Sequence, residues 1–119
     1  MDNTVCGEAC GAVVSMLESM GFTVSVSRES YATLTGGVAR RDVVRGIRTS
    51  PQPAKVSVYL RGDGSIGKVH IFVRGSLGSP RLEALEEAGA SVDEVDGDTI
   101  ITVKRLRLED LGGILAIVF

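Results

Sequence analysis

Hydrophobic and polar positions change period along this chain, and the changes mark its elements. Over residues 4–20, Ala9, Val13, Met16, Leu17 and Met20 recur at the spacing of one helical face. Asp2, Asn3 and Thr4 can cap that helix and Gly21 can stop it. "FTVSVS", residues 22–27, alternates strictly, with Phe22, Val24 and Val26 on one side and Thr23, Ser25 and Ser27 on the other, which predicts a half-buried strand.

The stretch "TGGVARRDVVRGIRTSP", residues 35–51, holds Arg40, Arg41, Arg45 and Arg48. Val43, Val44 and Ile47 fall in one stripe at helical spacing, and Arg41, Arg45 and Arg48 in another at i, i+4 and i+7. This predicts a short amphipathic helix over 38–48, apolar inward and basic outward, weakened by Gly46 and broken by "SPQP".

Two-residue alternation then returns. Val56, Val58 and Leu60 alternate with Ser57, Tyr59 and Arg61; Val69, Ile71 and Val73 alternate with His70, Phe72 and Arg74. "GDGSIG" between them predicts a β-hairpin, 55–61 against 68–74. Ser79, Pro80 and Gly89 bracket a helix whose inner face is Leu82, Leu85 and Ala88. Asp96-Gly97 predicts a second hairpin, with 99–103 its firmer strand. The tail reads either as a helix to Val118 or as one turn followed by a buried strand "ILAIVF"; the spacing of Leu108, Leu111, Leu115 and Val118 favours the helix.

In order, these elements give one α+β domain over residues 1–119. The sheet is mainly antiparallel, with helices packed on one face. The plan is a ferredoxin-like βαββαβ core with an extra N-terminal helix and a C-terminal element. The alternative is helices alternating with three β-hairpins, "TVSVSRESYATLT" being the first of them.

Composition narrows the function classes. The chain has 119 residues, five aromatics, two cysteines and a net charge of −2, so the core must be aliphatic and one domain suffices to bury it. The start shows no leader pattern and no apolar run approaches the roughly 20 residues of a membrane span, which points to a cytoplasmic protein with no membrane partner. Cys6 and Cys10 suit that compartment and read as small packing residues, a helical i, i+4 pair being poorly placed for a disulfide. One histidine and no phosphate-loop ending leave no catalytic set, metal site or cofactor to assign, so enzyme activity is the weakest reading.

Strand parity places Ser25, Tyr59, Arg61, His70, Phe72 and Arg74 on the sheet face away from the helices. Rings interleaved with cations suit single-stranded nucleic acid, which needs stacking surfaces and phosphate contacts. Such a face is either covered, by the first helix, the tail or a second subunit, or open for binding. Arg41, Arg45 and Arg48 are the second candidate surface, and the acids from Glu83 to Asp98 are a counterpart for them on another copy. The leading expectation is a small interaction module that self-associates as a homo-oligomer. A nucleic-acid-binding module through Arg41, Arg45, Arg48, Tyr59, Arg61, His70, Phe72 and Arg74 comes next, and a small-molecule-binding protein or enzyme last.

Overall fold

The structure, a computed structural model, describes residues 7–119; the expected caps Asp2, Asn3 and Thr4, and Cys6, lie outside them. The chain runs α1 (Glu8–Ser19), β1 (Thr23–Ala32), β2 (Val38–Arg48), β3 (Ala54–Leu60), β4 (Ile66–Val73), α2 (Ser79–Glu87), β5 (Ser91–Val95), β6 (Asp98–Leu106) and α3 (Leu108–Val118). All six strands form one antiparallel sheet in the order β1-β2-β3-β4-β6-β5.

The expected α+β class and antiparallel sheet are present. The ferredoxin-like order is not, and the cause lies in residues 38–48. They form β2 rather than a crossover helix, so β1 to β4 run as a meander. The alternative plan also needs correction. Three hairpins exist, but no helix separates the first two, and residues 23–32 are one strand whose partner is β2.

Two-sided burial explains the helix-like pattern of β2. The strand is interior to the sheet, paired along one edge with β1 and along the other with β3. The adjacent Val43 and Val44 point to opposite faces, and both are fully buried. No two-residue alternation survives in such a strand, and its four β-branched residues favour the pleat.

The helices lie on one face. Cys10, Val13 and Leu17 of α1, Leu85 of α2, and Leu111, Ile114, Leu115 and Val118 of α3 share one core. It also takes in Val44, Val56, Val58, Val69, Ile71, Val73, Ile101 and Val103 of the sheet. The tail is thus a helix, as its spacing favoured, and its apolar side is consumed within the chain. α1 ends in a Schellman turn: Gly21, at φ +90°, donates to Glu18 O, and Phe22 N donates to Leu17 O. Gly46 then lets α1 approach the sheet, since a Cβ there would lie 3.1 Å from Phe22 Cβ and 3.3 Å from Leu17 Cδ1.

Candidate nucleic-acid interface

Neither α1 nor the tail covers the second sheet face, because both belong to the core on the other side. The register places Glu29 and Tyr31 (β1), Arg41, Val43 and Arg45 (β2), and Lys55, Ser57 and Tyr59 (β3) on this open face. Lys68, His70 and Phe72 (β4) and Ile100, Thr102 and Lys104 (β6) follow. Arg41, Arg45, Lys55, Lys68 and Lys104 bring five cations to it, against the acids Glu29, Asp93 and Asp98. A chain that is acidic overall therefore presents one basic side.

The cations are threaded through rings. The Arg41 guanidinium lies 4.6 Å from the Tyr59 ring centroid and 5.2 Å from that of Tyr31. Lys68 Nζ lies 4.9 Å from the Tyr59 centroid. Glu29 sets the Arg pair: Arg41 Nη2 approaches its carboxylate at 3.4 Å and Arg45 Nη2 at 3.1 Å, while Arg45 Nη1 donates to Ser27 Oγ at 3.2 Å. The hydrogen bond from Arg45, with a weaker one from Arg41, holds the Glu29 carboxyl below its ordinary value. Arg41 Nε is buried with no hydrogen-bond partner, so this guanidinium keeps unspent donor capacity.

Two clefts indent the face. One, of about 360 Å³, is lined by Arg45, Lys55, Ser57, Tyr59, His70 and Phe72 among others. The other, of about 310 Å³, lies at the end of β3, β4 and β6, where Arg41, Arg61, Lys68, Lys104 and Arg105 meet Tyr31 and Tyr59. Tyr59 lines both, so they form one track. A larger hollow of about 470 Å³ lies at the sheet margin between the start of α1 and the β3–β4 turn, and it shares Arg41 and Arg61 with the second cleft.

The sequence-predicted residues divide accordingly. Arg41, Arg45, Tyr59, His70 and Phe72 come together on the open face. Arg61 follows the end of β3 and reaches the second cleft. Arg74 lies past β4 at the opposite end, where its N–H donates to Pro53 O and its carbonyl accepts from Gln52 Nε2, and it lines neither cleft. Arg48 does not join a basic stripe. The expected i, i+4, i+7 face needed a helix; in a strand Arg41 and Arg45 share a face and Arg48 takes the other. There its guanidinium lies over Phe22 (5.2 Å) and Phe119 (4.5 Å) and donates to Met20 O at 3.1 Å, which makes it a structural clasp.

Tyr31, Lys55, Lys68, Lys104 and Arg105 escaped the sequence reading. Parity carried a signal for Lys55, four residues before Tyr59, for Lys68, four before Phe72, and for Lys104, two after Thr102. Tyr31 required the full length of β1. Arg105 had no signal, because its place depends on a positive φ of 56°.

Cys10 also departs from its expected role. It is disulfide-bonded and buried, not a free packing residue. The disulfide removes the support that cysteine usage lent to a reducing compartment. Among the described residues no helix is long and apolar enough to cross a membrane, and no group of His, Cys, Asp or Glu is placed to hold a metal ion. The acids Glu83, Glu86, Glu87, Asp93, Glu94 and Asp96 lie exposed on α2, β5 and the following turn, and none forms a salt bridge among the described residues. No protein-family model matches the sequence, and no curated protein matches it.

Proposed function

We infer that this protein binds single-stranded nucleic acid on the open face of its sheet. One observation carries the reading: Arg41 sits between the rings of Tyr31 and Tyr59, with Lys68 on Tyr59 and the His70–Phe72 row beside them, on a face that no described helix covers. Unpaired bases present π-faces to such rings while their phosphates meet the flanking cations. A duplex hides its bases, so stacking would add nothing to its binding. No residue set on the face suggests bond-making chemistry, and the reading is of a binding module without catalysis.

Fluorescence anisotropy with a labelled oligonucleotide of about 12 nucleotides, within the usual range of site sizes for such surfaces, tests it. The expected result is tighter binding to the single strand than to its blunt duplex. Equal affinity for both, or no binding to either, overturns it.

The exposed acids of α2 and β5 support a second reading. They are complementary to the basic face of another copy, so head-to-tail self-association would use the same cations. Sedimentation at low and high salt separates the two: an assembly without nucleic acid that dissolves with salt favours this one.

A further inference from the structure

We propose that the cleft at the end of β3, β4 and β6 holds a terminal phosphate monoester of the bound strand. This rests on the single-strand reading and adds that the protein recognises a strand end.

The cleft is built at a cost that folding alone does not explain. Arg61, Lys68, Lys104 and Arg105 converge on it, yet none of the four forms a salt bridge among the described residues. Lys68 and Lys104 are direct cross-strand partners on β4 and β6, a like-charge pair that destabilises a sheet. Arg105 is held at φ +56°, in the left-handed region that a non-glycine residue rarely occupies inside a strand. The β3–β4 ladder skips Gly67, pairing Tyr59 with Lys68 but Leu60 with Ile66, so a bulge lies at the same spot. A Cβ on Gly67 would come within 3.3 Å of Arg61 Nε, and its absence lets that side chain lie across the bulge. Asp63, the acid of the same turn, spends its hydrogen bonds on Ser65, accepting from both its N–H and its hydroxyl, and feels the Arg61 charge only as a lesser influence.

Repelled cations and a strained residue at one point call for an anion. Charge selects its kind. An internal phosphodiester brings one negative charge, whereas a monoester brings about 1.5 to 2 and three terminal oxygens. Five cations around about 310 Å³, Arg41 included, match the second. Position agrees. The cleft stands at the margin of the sheet, while the neighbouring cleft, joined to it through Tyr59, runs inward past His70 and Phe72. A strand laid along that track reaches Arg105 at the sheet margin; the hollow beyond shares Arg41 and Arg61 but lies round that margin, against the start of α1.

Three oligonucleotides of one sequence, carrying a 5′-phosphate, a 3′-phosphate or hydroxyls at both ends, give the test by anisotropy. The expected result is that one phosphorylated form binds about tenfold tighter than the hydroxyl form, as charge-assisted hydrogen bonds to one group allow; which form wins states the strand polarity. The advantage should vanish in Lys68→Gln/Lys104→Gln. Arg105→Gly should lose much of it while its melting temperature holds or rises, since glycine accepts the positive φ. Binding of all three forms with equal affinity overturns the proposal and leaves the single-strand reading standing. Absence of binding to any form overturns both. A wild-type advantage that survives in the double lysine variant assigns the end to another place and also overturns it.

Discussion

The guanidinium carbon of Arg41 lies 4.6 Å from the centroid of the Tyr59 ring. Arg41 belongs to β2 and Tyr59 to β3, on the face that carries no described helix. Tyr31 and Tyr59 each have a π-face engaged by a cation of the protein, and the surface is ordered before any ligand arrives. Preorganised rings lose little entropy on stacking with a base.

Phe72 offers the cleanest test of stacking. It is 39% exposed and outside the core, so Phe72→Ala should lower the melting temperature only modestly, through its cross-strand contacts. It should weaken single-strand binding by about 1–3 kcal/mol, the usual worth of one base–aromatic stack. A large loss of stability without a loss of affinity would reassign the ring to packing.

Arg41, Arg45 and Arg48 should separate into two classes. Arg48→Ala removes a charged hydrogen bond to Met20 O and the cover over Phe22 and Phe119. It should destabilise by about 2–3 kcal/mol in chemical denaturation and leave affinity per folded molecule unchanged. Arg41→Ala should do the reverse, with a small change in stability and a clear loss of binding. Identical behaviour of the two variants would restore a common role.

Gly46 tests the docking of α1. A Cβ there would meet Phe22 Cβ at 3.1 Å and Cδ2 at 3.2 Å. Gly46→Val should therefore cost about 1–3 kcal/mol by overpacking, despite valine's better strand propensity. A stabilised variant would show that the helix can shift at no cost.

Glu29 links acid stability to binding. Its carboxyl is held below the ordinary 4.5 by Arg45 first and then Arg41. With a lowered folded-state value, the pairing contributes in full above 4.5 and is lost as pH falls through the folded value. Glu29→Gln should flatten the stability–pH curve in that acid window. At neutral pH the same variant should bind nucleic acid more tightly, because it removes the acid that competes with phosphate for Arg41 and Arg45. Weaker binding would mean that Glu29 is needed to aim the two guanidinium groups.

Much of this architecture was legible in the alternation of apolar and polar residues. Val56 to Leu60 against Val69 to Val73 fixed the central hairpin and, by parity, the placement of Tyr59, His70 and Phe72. Asp96 and Gly97, at φ 53° and 84°, form the turn that their residue types demand. What failed was β2. Periodicity reports one buried face, and β2 buries Val43 on one face and Val44 on the other. That single error also misplaced Arg48 and produced the wrong topology. The second cleft was illegible for a different reason: it depends on a bulge at Gly67 and a positive φ at Arg105, which no residue pattern announces.

The salt dependence of single-strand affinity is the sharpest test of nucleic-acid binding on the open face. Lys55, Lys68 and Lys104 line that face and take no part in the core. If they meet phosphates, log Kd plotted against log salt should be steep for the wild type. Lys55→Gln/Lys68→Gln/Lys104→Gln should flatten that slope by about 2 units, at roughly 0.7 for each single-strand phosphate that the variant no longer neutralises. A wild-type slope near zero, or a triple variant with the wild-type slope, would contradict nucleic-acid binding there.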